Sequence, residues 1–461
     1  MEKLKFLIFL IIVKIGGIQC FNDSNNQKPN GPLILTLYIK NRQIELGKEL
    51  AAVKHPELVA KGVKSYSGFF TVSEACNSNL FFWFFPAQVN STISPVVLYL
   101  NGGPGQSSLY GALMENGPVS INSNYKLKLR KHSWNENHNV LYIDSPVGTG
   151  FSFTNALDCY LTNQEDIGIS LHEAILQFFQ LFPELRKNSF YITGESYAGK
   201  YIPALGHQII SKQNICKPNN CINLKGVAIF NGIIDPKNQL DYGSLLHALN
   251  FIDRNNFIKF KKYQSEAAIL IAKGEYLEAL NTMANIMNWP NCLFFNVSGF
   301  SSPHNILRPD GYIDEITVTT DYILNSDLSK YLHVGNIRFV SMFDSFPVLQ
   351  KLMGDITQSV AHWLVELLEN CSDVYICSGM LDILAGPALQ RNFLSKLQFS
   401  GASDYATAEQ QIWIKDNKIA GYFKRAGTLR EITVLNAGHM AQIDQPSECH
   451  DIVTRLARNG F

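Results

Sequence analysis

Six short runs in this chain are apolar or β-branched at successive positions rather than at every second one. They are Val96–Leu100, Val140–Ile143, Phe190–Thr193, Val227–Phe230, Val374–Cys377 and Ile432–Leu435, each bounded by Gly, Pro or Asn. Continuous apolarity suits strands covered on both faces, whereas a half-exposed strand alternates. Helical patterns lie between several of these runs. From Asn163 to Lys187, Ile167, Leu171, Ile175, Phe178, Phe179 and Phe182 recur at helical spacing on one stripe. Pro446 to Arg458 reads as a closing helix with Ser447 as its cap. Ahead of the first run, Tyr66–Val72 and Leu80–Phe85 flank a polar middle and predict a hairpin. Strand–helix alternation after an antiparallel start predicts a doubly wound, mixed and mostly parallel α/β sheet.

Residues 237–345 break that rhythm. They look helical over Phe257–Met287 and then irregular, as an insertion capping the sheet would. The expected organisation is a signal segment at 1–20, a lead-in or pro-segment at 21–65, a first core part at 66–236, the cap at 237–345 and a second core part at 346–461. With 46 % hydrophobic residues in 461, the chain has ample material for such a core. Lys+Arg and Asp+Glu are both 39, so no global field draws nucleic acid or anionic lipid.

The first thirteen residues hold a basic start, Lys3 and Lys5, and an eight-residue apolar run from Phe6 to Val13, closed by Lys14. That is the pattern of a secretory signal peptide cleaved between Gly17 and Phe21, and it is too short for a membrane span. Nine cysteines are present; without Cys20, eight remain, an even number that suits disulfides in an exported chain. Eight cysteines allow 105 full pairings, which the sequence leaves open, and Cys216 and Cys221 are the best local pair. Sequons at Asn22, Asn90, Asn296 and Asn370 are candidate glycan sites. The expected location is the secretory pathway, with an extracellular or lysosomal destination.

The run Phe190–Thr193 leads into Gly194-Glu195-Ser196-Tyr197-Ala198-Gly199-Lys200, and a helical stretch follows. Strand, tight turn and helix form the setting of a nucleophile elbow, with Ser196 projecting from the turn and small residues at Gly194 and Ala198. In a doubly wound sheet active groups gather beyond the C-terminal ends of strands. Asp382 follows the Val374–Cys377 run, whereas Asp373 starts it and belongs at the wrong end. His439 follows the last run, in Ala437-Gly438-His439-Met440, while His450 falls inside the closing helix. Ser196, Asp382 and His439 thus occur in the chain order Ser, acid, His. Their chemistry is complementary: His439 takes the proton of the weakly acidic Ser196 hydroxyl and Asp382 orients the imidazole. Ser107, in Gly105-Gln106-Ser107, is a rival that lacks a small residue two positions on and a clear helix after it.

Further motifs accompany the triad. Asn101-Gly102-Gly103-Pro104-Gly105-Gln106-Ser107-Ser108 follows a strand. Glu115-Asn116-Gly117-Pro118, Ser133-Trp134-Asn135 and Asp144 to Ser152 come next, and Asp444-Gln445-Pro446 closes the set. Together they resemble the serine carboxypeptidases, most closely the vitellogenic-like branch, over residues 65–461. The resemblance implies an α/β-hydrolase fold and release of C-terminal residues from peptides through an acyl-enzyme. It implies an oxyanion hole from the amides of Gly103 and Tyr197, and a substrate-carboxylate site from Asn101, Gly102, Glu115 and Glu195. Gln106 stands where many members carry Cys, so a disulfide used elsewhere in the family has no counterpart here.

Two close carboxyl groups raise one another's pKa, and a protonated carboxyl can donate to a substrate carboxylate. Peptide cleavage is therefore expected to be favoured at acidic pH. Partners are peptides or proteins with a free C-terminus; the sequence does not choose between monomer and homodimer. No cofactor and no metal are implied, since neither H-E-x-x-H nor H-x-x-E occurs. Two other functions are compatible with the scaffold: an esterase or acyltransferase, and a non-catalytic binding or storage protein.

Overall fold

Every residue of Ser78–Phe85 is buried, although the strand carries six large apolar side chains in a row. Its alternate side chains enter two different cores. Leu80, Phe82 and Phe84 face one, and Phe81, Trp83 and Phe85 face the other. A sheet covered on both sides follows directly from this pattern.

The computed structural model describes residues 31–461 apart from 123, 214, 217–220, 288–289 and 459. The proposed signal segment, Cys20 and Asn22 lie outside the described residues. The main sheet contains β1 (Tyr66–Ser73), β2 (Ser78–Phe85), β3 (Val96–Leu100), β6 (Asn139–Ile143), β7 (Phe190–Glu195), β8 (Leu224–Phe230), β9 (Asp373–Gly379), β10 (Gln411–Lys415), β11 (Lys418–Ala426) and β12 (Leu429–Val434). Strands β4 (Val119–Ile121) and β5 (Leu127–Leu129) form a separate small pair. The order across the main sheet is β1-β2-β6-β3-β7-β8-β9-β12-β11-β10. The six from β6 to β12 pair in parallel, and both edges are antiparallel hairpins. All six apolar runs fall on the parallel strands, as expected for the expected mixed α/β-hydrolase sheet.

Helices cover both faces. Gln164–Leu181 is capped by Asn163, whose side chain accepts from the Asp166 amide at 2.9 Å, and its stripe from Ile167 to Phe182 is buried. The closing helix is Pro446–Leu456, but Ser447 does not cap it; Gln445 holds the cap position and the Ser447 hydroxyl accepts from Lys415 Nζ. Between β8 and β9, helices Tyr242–Ala248, Arg254–Ala272, Tyr276–Ala284 and Leu293–Ser298 share a core of their own, which includes Leu246, Phe260 and Phe294. Helices Ile313–Asn325 and Leu328–Tyr331 follow. The expected helical stretch over 257–287 is interrupted at Gly274, in the left-handed region at φ 79°.

Three features depart from the sequence reading. Residues 35–60, read as a pro-segment or extended lead-in, form short helices at Leu35–Lys40, Ile44–Ala51 and Pro56–Ala60, with Leu35 and Ala51 buried in the core. The hairpin β10–β11 was not foreseen, because Gln411–Lys415 buries only Trp413 well. Among the described residues two disulfides are present, Cys76–Cys159 and the expected Cys216–Cys221, whereas Cys292, Cys371, Cys377 and Cys449 are free and buried. The even count of cysteines therefore overstates the pairing.

Phe82 lies at the centre of one core, stacked on Phe70 at 4.6 Å between ring centroids and edge-on to Phe178 at 6.4 Å. Phe82→Ala is expected to lower stability by ~3–5 kcal/mol through lost burial and the cavity left behind. Guanidinium unfolding of the two proteins checks this.

Candidate active site

The parallel strands end at one level. Glu195 is in register with Phe230, Phe230 with Cys377, and Val434 with Gly379. Ser196, Asp382 and His439 each lie a few residues beyond one of these ends. Ser196 follows β7 directly, with φ at +58°, a left-handed conformation that costs a non-glycine residue about 1–3 kcal/mol. Its backbone continues the ladder by donating to the Phe230 carbonyl at 3.0 Å, and the helix Ala198–Lys212 starts two residues on. A Cβ at Gly194 would collide with the Leu100 carbonyl and come within 2.9 Å of Ala198 Cβ. One at Gly199 would come within 2.8 Å of the Ile233 amide. The elbow exists because these neighbours lack side chains.

A second glycine loop presses onto the elbow. A Cβ at Gly102 would stand 2.5 Å from the Tyr197 amide nitrogen and 2.8 Å from Ser196 Cβ. Gly103 follows at φ +109°, and the Gly103–Pro104 peptide is cis. Buried Asp144 ties this loop down. It accepts from the Ser107 hydroxyl at 2.6 Å, the Ser108 amide at 2.9 Å and the Phe151 amide at 2.8 Å. Ser107, the rival nucleophile, is thus fully buried with its hydroxyl donating to Asp144. A helical segment does follow it, ending in a π-helical turn at Gly111–Glu115, contrary to the expectation that none starts there.

Tyr197 is held from its other end. Its hydroxyl donates to Asp355, and Gln164 Nε2 donates to the same carboxylate oxygen at 2.7 Å. Lys200 Nζ pairs with Asp355 at 2.7 Å, with both side chains buried. The amide after the serine is therefore fixed through its own side chain.

His439 Nδ1 lies 2.8 Å from Asp382 Oδ2. That oxygen also receives Asn231 Nδ2 at 2.7 Å and the Ala385 amide at 3.2 Å, while Oδ1 receives the Leu384 amide at 2.8 Å. With donors on every other side, the carboxylate accepts a hydrogen bond from Nδ1–H, which leaves Nε2 as the acceptor nitrogen. The Ser196 hydroxyl makes no hydrogen bond among the described residues; such contacts commonly tighten only with substrate in place.

Glu115 and Glu195 are both fully buried beneath the elbow and share one amide. Asn101 Nδ2 donates to Glu115 Oε1 at 2.8 Å and to Glu195 Oε1 at 3.1 Å, and Asn101 Oδ1 accepts the Gly111 amide at 2.9 Å. Tyr99 donates its hydroxyl to Glu115 Oε2. Burial pushes both carboxyls up, and Glu195 furthest, because the charge of Glu115 adds to its desolvation. Glu115 is steadied by Tyr99, Asn101 and the buried Arg130 guanidinium. Glu195 is thus the member of the pair held further toward its protonated form, and its Oε2 is buried with no hydrogen-bond partner among the described residues.

The remaining predicted positions are accounted for. Asp373 pairs with Arg430 at 2.9 Å at the start of β9, and His450 contacts Asn137 at 3.2 Å from the closing helix. Asn90, Asn296 and Asn370 are exposed.

The sequence profile of the serine carboxypeptidase family matches residues 56–459. The chain belongs to the serine carboxypeptidase family. Its activity is that family's, serine-type hydrolysis of peptides from the C-terminal end. The venom serine carboxypeptidase of Apis mellifera is 43 % identical over 436 residues, covering 93 % of this chain and 92 % of that one. The vitellogenic carboxypeptidase of Aedes aegypti is 41 % identical, covering 93 % and 90 %. Kex1(delta)p, a prohormone-processing carboxypeptidase from Saccharomyces cerevisiae, superposes with a TM-score of 0.76 at 25 % identity, covering 89 % of this chain and 95 % of that one.

Several residues that shape the site in this carboxypeptidase escaped the sequence reading. Asn231 on Asp382 carries one signal, its place directly after a strand. Asp355, Lys200 and Arg130 carry none, since only the tertiary fold brings them to their partners.

Gly102→Ala is expected to displace the glycine loop from the elbow, because the obstructing atoms are backbone or Ser196 Cβ. Labelling of the carboxypeptidase by a serine-directed phosphonate should slow by ~100-fold or more, with circular dichroism unchanged.

Proposed function

We propose that Ser196, His439 and Asp382 form the catalytic triad, that the amides of Gly103 and Tyr197 form the oxyanion hole, and that Asn101, Gly102, Glu115 and Glu195 bind the substrate's terminal carboxylate. Ser196 Oγ attacks the last peptide carbonyl while His439 Nε2 takes its proton. The resulting oxyanion is stabilised by the two amides. His439 then returns the proton to the leaving nitrogen, the C-terminal amino acid departs, and the acyl group stays on Ser196. Water, deprotonated by His439, cleaves that ester and restores the serine. Asp382 holds the tautomer and stabilises the imidazolium.

The observation that carries the exopeptidase reading is the buried carboxyl pair with one orphaned oxygen. A proton on Glu195 Oε2 makes it a donor for an incoming carboxylate, and the site needs no arginine. The sign of the pH dependence follows. As pH rises through the elevated pKa of the pair, the proton leaves, two negative charges face the substrate's own, and binding weakens. Cleavage is therefore favoured on the acidic side. The two disulfides and the exposed sequons at Asn90, Asn296 and Asn370 support passage through the secretory pathway. The word venom in a relative's description fits an extracellular destination. A lysosomal destination uses the same route. The substrates on this reading are peptides or proteins with a free C-terminus.

Mass spectrometry of products tests the reading directly. With an N-blocked peptide, its C-terminal amide and an ester across pH 4–8, the free acid should lose single C-terminal residues and the amide should react weakly. Ser196→Ala should do neither. Ester cleavage without residue release would instead indicate an esterase.

The carboxyl pair makes a separate prediction. Glu195→Gln keeps a donor that cannot ionise, so its kcat/KM on the free acid should fall less steeply between pH 5 and 8 than that of the parent enzyme. Glu115→Gln should also alter that limb. If both variants reproduce the parent profile, the pair does not set the pH preference.

A further inference from the structure

The loop that carries His439 has no regular secondary structure, so its backbone groups need specific partners. The partner of His439 itself comes from one stretch of the insertion, residues 303–312. The His439 amide donates to the His304 carbonyl at 2.7 Å. The same stretch also pairs with the loop carrying Asp382: the Ile306 amide donates to the Leu381 carbonyl at 2.9 Å, and the Ile383 amide to the Pro303 carbonyl at 3.1 Å. The Leu381 amide in turn donates to the Ala437 carbonyl at 2.8 Å. The imidazole of His304 stacks on that of His439, with centroids 4.8 Å apart and planes 28° apart. One short segment thus touches the backbone on both sides of Asp382 and both the backbone and the ring of His439.

Asp444 fastens this segment to the histidine loop. Its Oδ2 accepts from the Gly438 amide at 2.7 Å, Asn305 Nδ2 at 2.9 Å and the Tyr312 hydroxyl at 2.5 Å, and its Oδ1 lies 3.7 Å from Arg308 Nη1. The three hydrogen bonds come from two chain segments, the histidine loop and residues 303–312, and add to the His439–His304 backbone bond between them. A carboxylate suits the position because it accepts on every side and donates on none. Gly438 completes the fit. A Cβ there would stand 2.6 Å from each of Asn305 Nδ2, the His304 carbonyl and the Tyr312 hydroxyl, so the segment closes onto the histidine loop without space for a methyl group.

We propose that Asp444 is a positioning residue for the general base: by clasping residues 303–312 to the Gly438-His439 dipeptide, it holds His439 in register with Asp382 and Ser196. It touches neither substrate nor reacting atoms. Its effect reaches the chemistry through the two loops that the segment bridges. The insertion is then a structural part of the catalytic centre as well as a cover over it. This rests on His439 being the base, as proposed above.

The test compares Asp444→Ala, Asp444→Asn, Tyr312→Phe and His439→Ala, with rates expressed per site titrated by a serine-directed phosphonate. A second readout is the downfield proton resonance of the His439–Asp382 hydrogen bond. Asp444→Ala should lower kcat at least tenfold with KM within about threefold, and should shift or broaden that resonance. Asp444→Asn, whose amide oxygen can still accept from Gly438, should lose less. A kcat within twofold of the parent and an unchanged resonance in Asp444→Ala would overturn the proposal. If Asp444→Ala does not fold, Tyr312→Phe decides: a twofold to tenfold loss in kcat with a shifted resonance supports the clasp, and no change in either refutes it. His439→Ala keeps the two readings separate. Its inactivity together with a fully active Asp444→Ala refutes only the clasp, whereas activity in His439→Ala refutes the proposed triad.

Discussion

A serine held at φ +58° between a strand and a helix restricts everything around it. The chain can turn that sharply only if the neighbouring backbones come close, and they come close only where side chains are missing. Gly194, Gly199 and Gly102 supply the room, and a Cβ at any of them would meet backbone atoms that cannot step aside. The strain has to be overdetermined by the surroundings to persist. Here the sheet ladder from Ser196 to Phe230 holds one side of the turn, and the Tyr197–Asp355–Lys200 cluster holds the other. The same close approach that permits the turn brings the backbone of Gly102 against the Tyr197 amide.

The parallel sheet was legible in the sequence because its strands are covered on both faces, which leaves continuous apolar runs. The positions of Ser196, Asp382 and His439 were legible for a related reason: each follows a run, and strand ends collect function in such sheets. What failed to show shares a different cause. Gln411–Lys415 pairs as an edge strand whose side chains are mostly in water, so its composition carries little signal. The helices within residues 35–60 span one or two turns each, too short for a helical period to stand out. Asn231 and Asp355 are single polar residues whose importance lies wholly in which loop the fold delivers to them. Glu115 and Glu195 occupy an intermediate place: family resemblance picked them out, and only the structure showed that they share one amide and bury one unpaired oxygen.

The insertion between β8 and β9 joins the core at two levels. Its first four helices share a core of their own, with Ile383, Leu384 and Leu389 from beyond β9 contributing to it. Its later segment reaches the loops after β9 and β12 by backbone hydrogen bonds. A cap attached in this way is anchored beside Asp382 as well as at its own chain ends. Its packing and the shape of the cleft are therefore not independent.

The buried carboxyl pair carries a consequence for what the enzyme leaves behind. On the proposed reading, the group that admits a substrate is a terminal carboxylate, and every turnover creates another on the shortened chain. End recognition of this kind contains no stop signal. Trimming proceeds residue by residue until it meets a side chain that the cleft rejects, so the final length of a product is written in the substrate's sequence and not in the feature that first selected it.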